Sequence, residues 1–238
     1  MAVYKLSLGK LHADRSISHA SGQIEFELAD ACDGWTVEQR TRLVVVNAEG
    51  FELTTGWTFR AWESKDGLNY RFYTKRLHMN GSQEEVRGKA TLKALGEGGI
   101  VTYSLPESRE ESLPPGALFP VMHGLELMRA ASQDELLVWR EVFDGASADG
   151  LFGINAAVLK ALPAEAAPPL ESELLTEMPS WRMRLAYFAP TTQAAEPDYE
   201  QGQRLYANGI VDELEFDYAD FAISGELESL VALPPAEC

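Results

Sequence analysis

Hydrophobic and polar residues alternate with a period of two along most of the chain, the mark of strands with one buried face. Tyr4, Leu6 and Leu8 alternate with Lys5 and Ser7, and Ile24, Phe26 and Leu28 with Glu25 and Glu27. Residues 34–46 read as one long strand ending in Val44, Val45 and Val46, and residues 47–50 as the turn after it. Residues 54–63 carry Trp57, Phe59 and Trp62. Lys65-Asp66-Gly67 closes that strand as a hairpin turn and residues 70–77 return from it. Asn80-Gly81 is the strongest hairpin signal and leads into residues 85–92; Gly98-Gly99 precedes a short strand at 100–104.

The pattern then changes. Residues 106–112 read as a charged loop, and 113–120 (LPPGALFP) hold three prolines and cannot be regular throughout. Val121, Leu125 and Met128 share a helical face, which predicts one main helix over 121–132, with Pro120 suited to its first turn. Strands resume at 136–143, 151–159, 181–188, 202–209, 211–218 and 221–233. The Pro- and Glu-rich stretch 163–179 has room for one short helix near 170–175. A βαβ rhythm is absent. The expected fold is mainly β: residues 1–238 as a single domain, built on one large, curved antiparallel sheet of a dozen or more strands. So many long strands must curl, split or close.

Charge narrows the partners. With 37 acidic against 20 basic residues the formal net charge is -17, which argues against nucleic acid and against a polybasic membrane-surface binder. No stretch of about 18 apolar residues predicts a transmembrane segment. The chain opens at once on strand-like AVYKLSL, so the expectation is a mature form whose export signal has been removed.

The candidate chemistry is sparse. Cys32 and Cys238 are the two cysteines, near opposite ends. They are either one disulfide or two free thiols; their placement favours the disulfide and with it a compartment outside the cytoplasm. The histidines His12, His19, His78 and His123 form no HExxH or i, i+4 pair, and a packed structural role suits His123 best. Residues 144–150 (DGASADG) approach a calcium loop and a nucleophile elbow without matching either; a polar turn is the simpler reading. Acidic neighbours such as Glu84 and Glu85 read as solvated edges. No catalytic constellation, metal site or cofactor is expected. Among the aromatics, Trp57 and Trp62 fall on opposite faces of their strand, so one of them is a candidate for an exposed apolar ligand contact.

Five stretches together carry a family resemblance: AVYKLSL, SGQIEFELADACDGW, LPPGALFPVMHGLELMRAA, VFDGASADG and the closing LYANGIVDELEFDYADFAISGELESLVALPPAEC. The chain resembles the EipB-type cell envelope integrity proteins of Gram-negative alphaproteobacteria along essentially its whole length. The specific parts are Leu113, Pro114, Gly116, Phe119, Pro120 and His123, and the terminal strand pair with Cys238. The resemblance implies a periplasmic protein made with a cleaved signal peptide. It implies a β-spiral fold with a helix inside its curve and a Cys32–Cys238 disulfide. The implied role is non-enzymatic support of envelope integrity, expected to be exerted as a monomer through a protein partner or an envelope component. A carrier or sensor of an apolar, lipid-type ligand is the alternative, with Trp57, Trp62 and Phe119 as candidate ligand contacts. A hydrolase is the third and weakest reading.

Overall fold

A computed structural model describes residues 1–11, 17–147, 150–166, 168, 170–189, 196–218 and 220–238. Fourteen antiparallel strands are found among these residues, all in one sheet. They are β1 Ala2–Leu11, β2 Ile17–Asp30, β3 Gly34–Asn47, β4 Glu52–Ser64, β5 Asn69–Leu77, β6 Gln83–Leu92, β7 Gly99–Leu105 and β8 Arg109–Leu113; then, after helix α1 (Pro120–Ser132), β9 Leu137–Phe143, β10 Leu151–Leu162, β11 Ser180–Phe188, β12 Tyr199–Tyr206, β13 Val211–Asp217 and β14 Phe221–Leu230.

The two ends of the chain lie in the middle of the sheet. β1 is hydrogen-bonded to β2 on one side and to β14 on the other, and the sheet runs outward to edges at β8 and β9. Those edges are joined by α1 and the proline-rich segment before it. There the Leu118 N–H donates to the Glu141 carbonyl and the Phe143 N–H to the Leu118 carbonyl, each at 2.9 Å. This one parallel bridge links the segment to β9 and leaves a nearly closed, barrel-like sheet. Closure removes most of an exposed sheet edge, the part of a β protein most prone to unwanted pairing.

Alternation decides which side chains fill the interior. Tyr4 and Leu6 of β1, Ile24 of β2, Leu43 and Val45 of β3, and Ile223 and Leu227 of β14 are buried on one face. Their strand neighbours Lys5, Glu25, Arg42 and Glu226 are exposed. α1 turns Leu127, Ala130 and Ala131 into a second cluster with Val138, Val142, Met183 and Leu185. A third cluster is aromatic, built from Tyr70, Phe72, Tyr103, Phe119 and Phe143. Tyr70 stacks on Phe119 at 4.9 Å between ring centroids, and Phe72 meets Phe143 edge-on at 5.3 Å.

The strand pattern holds with three corrections, one of them a shift of the strand read at 202–209 to Tyr199–Tyr206, with 207–209 forming the turn to β13. Residues 106–112 are not loop throughout: β8 pairs with β7 from Leu113 to Arg109. Its alternation is invisible because an edge strand with one sheet neighbour buries little beyond Leu113. Nor do residues 170–175 form a helix. They make a turn in which the N–H groups of Leu175 and Thr176 donate to the Ser172 carbonyl. A stretch this short does not recover the cost of helix nucleation, and Pro179 follows closely.

Candidate functional site

The residues singled out from sequence lie in four separate places. Cys32 and Cys238 are joined by a disulfide at the surface, with Cα atoms 5.9 Å apart. Cys32 sits in the turn between β2 and β3 with φ of 64°, left-handed backbone that a side chain seldom adopts, and its N–H donates to Asp30 Oδ1 at 2.8 Å. Phe119 is completely enclosed, against Tyr70. Trp57 and Trp62 are both half-buried and stand on opposite faces of β4. Trp62 faces outward beside Arg71. Trp57 faces the interior, in register with Arg76 of β5, whose guanidinium lies 6.0 Å from the indole ring. Trp57 and Arg76 lead toward a constellation that the sequence did not reveal.

Four strand ends at the same end of the barrel each bring an aromatic ring. Tyr187 is next to last in β11, Tyr199 opens β12, Tyr218 follows β13 and Phe221 opens β14. Tyr187 and Tyr199 are direct partners in the β11–β12 ladder and stack at 4.3 Å with planes 11° apart. The row continues from Tyr199 to Tyr218 at 6.0 Å and from Tyr218 to Phe221 at 5.4 Å. Phe152 of β10 meets Tyr187 edge-on at 6.1 Å. Tyr218 is 38% exposed, so the row runs from the packed interior to solvent.

Charged groups lie at the same end of the barrel as these rings. Asp144, in the turn after β9, accepts the Ala146 N–H at 2.8 Å, and its carbonyl accepts the Tyr70 hydroxyl at 2.8 Å. Burial pushes the Asp144 carboxyl up to about 6, partly offset by the Ala146 N–H and the positive charge of Arg76. Burial also raises the phenols of Tyr187, Tyr199 and Tyr218, with Asp144 adding to the first two. These hydroxyls therefore stay neutral and can both donate and accept. The result is flat apolar ring faces bordered by Arg76, Asp144 and neutral phenols, a surface suited to holding a polar ligand against aromatic rings. The missed signal was positional: aromatics at successive strand ends matter only once the turns are known to share one end of the barrel.

A second polar group surrounds the start of α1. The Phe119 N-cap gives no side-chain cap to the helix. Glu63 of β4 supplies it from 58 residues away, accepting the Val121 N–H at 2.7 Å and the Met122 N–H at 2.8 Å. Glu63 is 1% exposed, and burial lifts its carboxyl to about 7 against the pull of those two donors. His123, one turn further, is buried and held down to about 4. Its Nε2 has no hydrogen-bond partner among the described residues. This arrangement orients the helix, with both side chains buried.

Among the described residues no group of three or more His, Cys, Asp or Glu is placed to hold a metal ion. Within the 144–150 turn, Ala148 and Asp149 lie outside the described residues, as does His12. Among the described residues no helix is long and apolar enough to cross a membrane.

Comparison with known proteins gives consistent matches. The family model described as EipB-like matches residues 1–234. The cell envelope integrity protein EipB of Brucella abortus (strain 2308) is 29% identical over 236 residues, covering 96% of this chain and 82% of that protein. The crystal structure of a β-barrel-like protein of the domain of unknown function DUF1849, also from Brucella abortus, superposes with a TM-score of 0.84 at 28% identity, covering 95% of this chain and 94% of the other.

Proposed function

The chain belongs to the EipB-like family, and from that premise we propose that it is a non-enzymatic periplasmic protein that supports cell envelope integrity by binding a protein partner or an envelope component at the aromatic end of its barrel. The name of the Brucella relative supports the envelope role. The surface disulfide supports an oxidising compartment, where such bonds form and persist. The observation that carries the binding reading is the row of Tyr187, Tyr199, Tyr218 and Phe221, open to solvent at Tyr218, with Arg76 and Asp144 at the same end of the barrel. Aromatic rings with adjacent polar groups are the residue types that dominate recognition surfaces.

An apolar carrier finds less support. The face of α1 that turns to the sheet is packed through Leu127, Ala130 and Ala131, and Phe119 lies wholly within the aromatic core.

The test is complementation in the native host after deletion of the gene. The exported wild-type chain should restore resistance to detergent and bile salts. Tyr218→Ser and Arg76→Gln, secreted at equal level and melting within about 3 °C of wild type, should not. Full restoration by both variants would remove the aromatic end from the proposal. Failure of the wild-type chain to restore resistance would remove the envelope role itself.

A further inference from the structure

The outer face of β5 and β6 presents positive charge on a chain of formal net charge -17. Arg71 and Lys89 are direct partners in the β5–β6 ladder, and Arg87 lies opposite Tyr73 in the next row on the same face. All three cations are exposed. Like charges placed directly opposite each other on neighbouring strands weaken a sheet. Nearby on this face two other cations are matched: Lys75 with Glu85 at 2.9 Å and Arg60 with Glu38 at 3.2 Å. Arg71, Arg87 and Lys89 have no ion-pair partner among the described residues.

Isolated surface cations usually extend into water. Here two of the three are held against rings, Arg71 at 4.8 Å from Trp62 and Arg87 at 5.0 Å from Tyr73. Contact with a ring restricts each guanidinium in advance and lowers the entropy lost when it binds. Between them runs a groove of about 420 Å³ lined by Arg71, Tyr73, Arg87, Lys89, Thr102 and Ser104. Two carboxylates stand at its margin: Glu110 accepts the Thr102 hydroxyl at 3.3 Å, and Glu85 is engaged by Lys75. The centre is left with three cations and the hydroxyl-bearing side chains of Tyr73, Thr102 and Ser104.

We propose that this groove is a binding site for a phosphate group of a soluble, phosphorylated ligand. A phosphate offers more charge and more acceptor oxygens than a carboxylate, and it suits converging Arg and Lys side chains. The net charge disfavours approach to a continuous anionic surface. The shallow groove, about 420 Å³, has room for one phosphorylated group at a time. The site is separate from the aromatic end of the barrel: Arg71 points outward from β5, whereas Arg76 points inward.

Calorimetric titration of the whole, disulfide-bonded chain with inorganic pyrophosphate and with glucose 1-phosphate at low ionic strength tests this. Saturable binding is expected, weakening with added salt. Arg71→Gln should reduce the affinity roughly tenfold, and Lys89→Glu should abolish binding. Lys89→Glu also replaces a repulsive cross-strand pair with an attractive one. Its melting midpoint should therefore hold or rise by about 1–3 °C, so lost binding cannot be ascribed to unfolding. Phosphatidylglycerol and phosphatidylcholine vesicles form a second arm. Sedimentation with phosphatidylglycerol in place of binding to the soluble phosphates would overturn the soluble source. Absence of saturable pyrophosphate binding, or equal affinity in the wild type and Lys89→Glu, would overturn the site.

Discussion

Glu63 and His123 are two buried ionisable groups whose effects on stability run in opposite directions. The folded-state value of Glu63, about 7, lies above its ordinary 4.5. Between those pH values the folded chain keeps a proton that the unfolded chain has released, so stability falls as pH rises. His123 stands at about 4 against its ordinary 6.5. Between those values the unfolded chain takes up a proton that the folded chain refuses, so stability falls as pH drops. Each effect has a slope of about 1.4 kcal/mol per pH unit at its steepest and totals roughly 3 kcal/mol. From about pH 4.5 to 6.5 they oppose each other. Asp144 and Asp212, both raised to about 6 by burial, act in the direction of Glu63 over the lower part of that range. Relative to wild type, Glu63→Gln should therefore gain less stability as pH falls from 6.5 to 5. His123→Gln should lose it more steeply as pH rises over the same interval. Urea denaturation at half-unit pH steps measures both slopes, and parallel curves for wild type and Glu63→Gln would contradict the assignment.

α1 depends on contributions from distant elements. Its first turn is capped by a carboxylate of β4, and the residue before it, Phe119, is locked into the aromatic cluster. Phe119→Ala should cost about 3–5 kcal/mol, the range for an enclosed aromatic residue. Trp57→Ala, at a half-buried position, should cost clearly less; the two midpoints in urea make the comparison. On the outer face, Arg184 of β11 joins three acidic side chains: Glu200 of β12 at 2.9 Å, Glu215 of β13 at 2.7 Å, and Asp217 of β13. Arg184→Met would leave those carboxylates crowded together without that counter-charge. A loss of about 2 kcal/mol is expected, since the site is intermediate between exposed and buried pairs. Added salt should reduce the loss by screening the carboxylates from one another, whereas a salt-independent loss would mean that the arginine acts through packing.

At the scale of the molecule, the disulfide fastens ends that the sheet already brings together. β14 lies beside β1, and β1 beside β2, before any bond from Cys238 to Cys32 is considered. Its contribution is to restrict the unfolded chain: with a sequence separation of 206, the chain-entropy treatment gives about 5 kcal/mol as an upper figure. Cys238→Ser should keep the fold and lower stability by about 3–5 kcal/mol, and intact mass of the wild type without reductant should be about 2 Da below the reduced mass. An unchanged melting midpoint in Cys238→Ser would show that the bond is mechanically idle. The amino-acid sequence by itself determined the strands, the helix and the side of each strand that faces inward, because alternation and turn chemistry act over a few neighbouring residues. It also carried the family resemblance. It could not show β8, whose pairing with β7 rather than its own pattern makes it a strand, nor exclude a helix at 170–175. Only the tertiary structure decided that the sheet starts at its centre and closes through Leu118. Only there do Arg76, Asp144 and the row from Tyr187 to Phe221 come to one end of the barrel. The physical reason is register: a strand's pattern says which face a side chain takes, but its neighbours across the interior depend on how far the whole sheet has curved.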